Sequence, residues 1–243
     1  MALHNLFERI YVINLKTRTD RRAEMDVQLR RIGLGLNAEQ VVLFEAVKPT
    51  DAAGFSSVGA RGCFMSHLQL LREARLQGLR SVLILEDDLN FYRDFPLRFA
   101  PVAKFLATQE WGMFYGSYTL PQTQSPPQPP SALPCRLADP TLAIGTSAML
   151  AVNGTQLDAL IRYLEAMLQR PPGDPSGGPM HIDGAYCWFR RAHPELATWL
   201  ASTQLGYQRS SRTDVHALRW FDRNPVSAAL IGLARRWRNW PHR

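Results

Sequence analysis

The chain predicts an α/β fold, a mostly parallel sheet flanked by helices, and two observations carry that prediction. The first is the order strand, helix, strand, helix, strand over the opening ninety or so residues. The second is Val82-Leu83-Ile84-Leu85-Glu86-Asp87-Asp88, in which apolar residues run without a break into three carboxylates. An uninterrupted apolar run marks a strand covered on both faces, as in the middle of a parallel sheet. Three acids cannot continue that burial, because an unpaired buried charge is costly or takes up a proton. They belong at the strand's carboxyl end, the edge where open α/β sheets bind ligands.

Taken in order, Ile10–Leu15 is an apolar first strand and Arg18–Ile32 an amphipathic helix with Met25, Leu29 and Ile32 on one face. Gly33-Leu34-Gly35 follows a helix rather than a strand, so it reads as a helix stop and not as a dinucleotide-binding turn. Val41–Val47 is a second strand. Gly59-Ala60-Arg61-Gly62 reads as a flexible approach to a helix over Cys63–Gln77, which Gly78 stops. The acid-tipped strand comes next.

Residues 121–135 form a proline-rich mobile loop, with six prolines within 121–134. Leu142–Val152 resumes as a strand and Thr155–Leu168 as a helix. Residues 171–179, with four prolines and three glycines, form a second loop. The final segment, Val226–Trp240, sets Ala229, Leu230, Leu233, Trp237 and Trp240 within one helical sector. Arg235, Arg236 and Arg238 fall largely outside it. The division expected is a catalytic domain over 1–215 and a basic helical tail over 216–243.

Composition narrows the function classes. A hydrophobic content of 46% supports a full core, and no apolar run is long enough to span a bilayer. Three widely spaced cysteines, Cys63, Cys135 and Cys187, match neither a disulfide framework nor zinc spacing, which points to reduced thiols in the cytosol. No secretory leader is legible at the N-terminus. The net charge of +7 is concentrated in the tail, where Arg209–Arg243 carries eight arginines against Asp214 and Asp222. Arginines mixed with aromatics suit the headgroup layer of an anionic membrane, and a helix docked on the core is the alternative. No nucleic-acid motif accompanies the basic tail, so no nucleic-acid partner is expected.

The chemistry-bearing residues follow. Carboxylate oxygens at residues 86–88 suit Mg²⁺ or Mn²⁺, ions that carry substrate phosphates. A solvated acidic turn is the plain alternative, and a phosphohydrolase using Asp87 and Asp88 is a rival chemistry. Ser66 and His67 open a helix, where a serine can cap backbone groups and a histidine can fill a semi-polar niche. Asp183 follows the second loop and fits either a general base or a turn former. Gln208–Asp214 is dense in hydrogen-bonding groups and suits an anionic ligand or a solvated loop.

Five segments in this order resemble glycosyltransferase family 25, which includes bacterial lipopolysaccharide glycosyltransferases and relatives of the collagen galactosyltransferases. They are Tyr11–Leu15 with Arg18, Asp20 and Arg21; Gly62-Cys63-Phe64-Met65-Ser66-His67-Leu68; Leu83–Asp88; Gly145-Thr146-Ser147-Ala148; and Ile182-Asp183-Gly184. Members commonly read Gly-Glu-Ile-Gly-Cys where this chain has Gly59-Ala60-Arg61-Gly62-Cys63. The resemblance implies a glycosyltransferase A-type fold and inverting transfer of a sugar, galactose being expected, from a UDP-sugar to a saccharide acceptor such as lipopolysaccharide or another surface glycan. It implies Mn²⁺ or Mg²⁺ held by Glu86 and Asp88, with His216 as a third ligand. Asp183 would be the base, and Asn14, Arg18, Ser66, His67, Asp87, Arg209 and Arg212 would contact the donor. The implied location is the cytoplasm, peripheral on the inner face of the cytoplasmic membrane. A degenerate member that binds a sugar nucleotide or a partner without catalysis is the alternative.

Overall fold

A computed structural model describes residues 3–121 and 133–209. The expected tail helix over 216–243, most of the proline-rich loop, Arg212 and His216 lie outside the described residues.

The first three strands are β1 (Arg9–Asn14), β2 (Val41–Glu45) and β3 (Ser81–Glu86). Helix α1 (Thr19–Arg31) connects the first two and α2 (Val58–Leu76) the next two. A short β4 (Leu89–Phe91), α3 (Phe95–Leu106) and β5 (Met113–Thr119) follow. Then come β6 (Cys135–Leu137), β7 (Gly145–Asn153), α4 (Leu157–Leu168), α5 (Ile182–Ala192), β8 (Thr198–Ala201) and β9 (Gly206–Gln208).

Seven strands form one sheet in the order β2-β1-β3-β7-β5-β8-β6, and β4 pairs with β9 apart from it. β1 is parallel to β2 and to β3, and β5 is parallel to β8. β7 opposes both β3 and β5, and β6 opposes β8. Five strands therefore share one direction, so the mostly parallel expectation holds within a mixed sheet.

Alternation along the central strands makes two cores. Tyr11, Val82, Ile84 and Tyr115 face one way, packed with Phe64, Leu68, Leu160 and Phe189 of α2, α4 and α5. Ile10, Val12, Leu83 and Leu85 face the other way, packed with Met25, Leu29, Phe99 and Val102 of α1 and α3. Burial on both faces is what the unbroken apolar run at Val82 requires.

Gly33 and Gly78 end α1 and α2 as expected. Gly33 has φ +78° and Gly78 φ +66°. In each case the next residue's amide reaches back to the helix, Leu34 to the Leu29 carbonyl at 2.9 Å and Leu79 to the Ala74 carbonyl at 3.1 Å.

Two expectations need correction. Gly59–Gly62 is not a flexible approach but the first turns of α2, which starts at Val58. Ser57 caps it by accepting the Ala60 amide at 3.0 Å. Glycine is needed there for contact, since a Cβ on Gly62 would sit 2.7 Å from the Val47 carbonyl oxygen. Cys135, expected to close the proline-rich loop, instead begins β6 and is fully buried.

Candidate functional site

β1 connects through α1 to β2 on one side, and the chain then crosses to β3 on the other. The crevice outside the carboxyl ends of β1 and β3 is thus the point where strand order reverses, the usual ligand position in such sheets. A cavity of about 700 Å³ opens there. Its wall includes Ile13 near the end of β1 and Leu15 after it, Val47 and Lys48 after β2, Glu86 at the end of β3 with Asp87 and Asp88 after it, and Asp183 of α5. Because β7 runs antiparallel, its first residues, including Thr146, reach the same edge.

The three consecutive acids take different roles. Asp87 is turned into the frame: its two oxygens accept from Arg21 Nη1 at 2.8 Å and from Asn14 Nδ2 at 2.7 Å. Asp88 is also buried, with Arg21 Nη1 3.5 Å from its Oδ2, while its Oδ1 has no hydrogen-bond partner. Glu86 Oε1 accepts from Ser147 Oγ at 2.9 Å. Gln208 Nε2 stands between the pair, 3.5 Å from Glu86 Oε2 and 3.4 Å from Asp88 Oδ2. Asp183, in the first turn of α5, accepts the Thr146 amide at 3.0 Å. Thr146 holds φ +57°, a costly angle for a β-branched residue and the one that sets this amide beside the carboxylate.

Crowding of acids in a desolvated space raises their proton affinity. Burial, reinforced by the charges of Asp88 and Asp183, pushes Glu86 up to about 8. Burial raises Asp88 as well, against the opposing pull of Arg21. Burial likewise raises Asp183, against hydrogen bonds from Ser147 and Thr146. A cation would relieve this repulsion. Asp88 Oδ1, buried and unsatisfied, is the atom that most needs one. Hard oxygen donors of Glu86 and Asp88 fit Mn²⁺ or Mg²⁺.

The other expected donor residues are distributed unevenly. Ser66 lines the cavity, yet its hydroxyl donates to the Gly62 carbonyl at 2.6 Å and accepts the Val47 amide at 2.8 Å, fastening α2 to the segment after β2. Arg209 lines the cavity with its guanidinium on Glu24 at 2.6 Å, Asn90 at 2.9 Å and the Asp87 carbonyl at 3.2 Å. Asn14, Arg18 and His67 are not part of the cavity wall. Arg18 grips Asp20 through two nitrogens at 2.9 Å, and Asn14 orients Asp87. His67 is fully buried beneath the wall, its Nδ1 2.8 Å from Tyr186 Oη, and desolvation lowers it to about 3. Arg61, at the departure from the family pattern, pairs with Asp51 at 2.6 Å.

Sequence reasoning gave no individual site role to Arg21, Ser147 and Thr146, and read Gln208 only as part of a stretch suited to an anionic ligand or a solvated loop. For Arg21 a signal existed: it lies four residues before Met25, on the apolar stripe of α1, where an arginine needs a buried acid. Gln208 carried no such signal, because only the pairing of β9 with β4 brings it to the acids.

Known proteins are similar to this chain. Residues 7–113 match the profile described as Glycosyltransferase family 25 (LPS biosynthesis protein). Procollagen galactosyltransferase 1 of Danio rerio is 32% identical over 130 residues, 45% of this chain and 21% of that protein. Inactive glycosyltransferase 25 family member 3 of Homo sapiens is 28% identical over 127 residues, 45% of this chain and 21% of that protein. The match spans about a fifth of the length of either relative. A solved glycosyltransferase involved in glycosylation of the major capsid of PBCV-1 aligns with a TM-score of 0.50 at 9% identity, covering 84% of this chain and 93% of that one, a likeness of fold. Residues 7–113, from the first strand through α3 to the start of β5, are thus similar to glycosyltransferase family 25.

Proposed function

We propose that the chain transfers a sugar from a UDP-sugar, galactose being the expected sugar, to a saccharide acceptor such as lipopolysaccharide or another surface glycan, with inversion at the anomeric carbon. One observation carries this reading: Glu86, Asp88 and Asp183 converge on a single cavity at the switch point of the sheet. The galactosyltransferase name among the similar proteins supports the choice of sugar. Glu86 and Asp88 would hold Mn²⁺ or Mg²⁺, and such an ion would supply positive charge to offset that of the departing diphosphate. Asp183 takes the acceptor hydroxyl's proton, and burial, by raising its proton affinity, suits it to that step. Lys48, exposed at the cavity wall, is placed to meet an anionic group.

The direct test is turnover of a UDP-sugar with Mn²⁺, scored as transfer or as release of UDP. Asp88→Asn keeps the shape of the side chain and is expected to abolish metal-dependent turnover with an unchanged circular dichroism spectrum. Full activity in that variant would remove the metal role. The second reading, a binder without catalysis, is favoured by the similarity to an inactive relative. It predicts UDP-dependent thermal stabilisation with no UDP release from any donor.

A pH dependence follows from Glu86. Its proton affinity is higher folded than unfolded, so its contribution to stability is present below about pH 4.5 and lost as pH rises through about 8. The metal-free protein should lose stability from this group as pH rises within that window. Glu86→Gln flattens the loss. Mn²⁺, which competes with the proton, should raise the melting temperature more near pH 8 than near pH 6. Equal stabilisation at both values would detach Glu86 from the ion.

No described helix is long and apolar enough to cross a membrane. Attachment to the inner face of the cytoplasmic membrane would rest on the arginine- and tryptophan-rich sequence of 226–243. Deleting those residues should release the protein from anionic vesicles in a flotation assay, and unchanged flotation would assign the segment to another role.

A further inference from the structure

Below the carboxylates, Cys63 and His67 lie one helical turn apart on α2 and project from the same face toward Glu86. A sulfur, a ring nitrogen and a carboxylate oxygen from these three residues lie within 4.8 Å of one another. Ligands of one tetrahedral zinc ion stand about 3.5 Å apart, given zinc–ligand bonds of about 2.0–2.3 Å. The difference is within the reach of small side-chain rotations.

His67 supplies an independent observation. The residue is fully buried, and its Nε2 has no hydrogen-bond partner. Its Nδ1 lies 2.8 Å from Tyr186 Oη. A metal-bound histidine commonly uses its second nitrogen in this way, donating to an oxygen that fixes the ring and its tautomer. A histidine that only filled core space would not need one nitrogen fastened while the other is left bare beside a cluster of metal-ligating side chains. Cys63 and Glu86 also line the cavity, whereas His67 does not, so a fourth coordination position faces the open space.

We propose that Cys63, His67 and Glu86 form a second divalent-metal site, selective for thiophilic ions of the Zn²⁺ class, on the floor of the cavity. Thiolate and imidazole select such ions over Mn²⁺ and Mg²⁺, which take oxygen donors. The thiol proton leaves to solvent as the sulfur–metal bond forms. Glu86 belongs to both sites, so an ion on Cys63 and His67 draws it from Asp88 and lowers metal-dependent turnover. This competition rests on the glycosyltransferase reading; the site itself does not.

The test uses the metal-free full chain titrated with Co²⁺ as a spectroscopic stand-in for Zn²⁺. One equivalent should produce a thiolate-to-cobalt charge-transfer band, which Zn²⁺ then displaces. Cys63→Ser should lose the band, His67→Gln should weaken binding by about tenfold or more, and Cys187→Ser and Asp88→Asn should keep it. Zn²⁺ should also protect Cys63 of the unaltered chain from alkylation, read by mass spectrometry, which covers a poorly folding Cys63→Ser variant. No band and no protection in the unaltered chain overturns the site, as does a band that persists in folded Cys63→Ser. Absence of UDP and Mn²⁺ binding with the band intact overturns the donor reading instead.

Discussion

Asp183→Asn is expected to lower kcat by about 10²–10⁴-fold, the contribution typical of a positioned general base. The donor KM should change little. Asparagine keeps an oxygen that can accept the Thr146 amide, so the start of α5 and the strained turn before β7 should hold their places. What it loses is the lone pair that takes a proton. The base must be ionised to act, and burial raises its affinity for protons, so activity should decline as pH falls through its raised value. In the variant that acid limb should vanish from the remaining activity. A variant with unaltered kcat would move the base elsewhere in the cavity and leave Asp183 as an anchor for Thr146.

Arg21→Met should destabilise the fold by about 3–5 kcal/mol, the cost of removing one partner from a buried ion pair. The arginine and Asp87 side chains are only 11% and 9% exposed, so water can do little to replace the lost charge. Asp87 would keep its bond from Asn14, but Asp88 would lose its nearest cation. Urea unfolding measures the loss. Adding Asp87→Asn should recover part of it, since the double variant no longer buries an unpaired carboxylate. Mn²⁺ should stabilise Arg21→Met more than the unaltered chain, because a cation is then the main remaining partner of Asp88. If Arg21→Met unfolds at the same urea concentration as the parent, the pair does not organise the strand end.

Much of this architecture was legible from local pattern. Period and punctuation located β1, α1, β2, β3, β7 and α4 because each carries a clean apolar stripe or run, and Gly33 and Gly78 marked two helix ends. Other elements were opaque for physical reasons. α3 carries Pro101 in its interior, which normally argues against a helix. β4, β6 and β9 have three residues each, too few to show a period. The helix containing Asp183 follows a stretch of prolines and glycines that masked its start.

The sequence by itself determined that three carboxylates end a buried strand, since an apolar run and adjacent charges cannot share one environment. Its motifs also determined the family resemblance. Only the tertiary structure decided that all three acids line the cavity and that Asp87 alone has both oxygens held by Arg21 and Asn14. It alone brought Thr146, Asp183 and Gln208 to the same edge, through an antiparallel β7 and a distant β4–β9 pairing. The reason is range: burial and charge are decided within a few residues, but a site assembled from five separate elements depends on contacts that no local window contains.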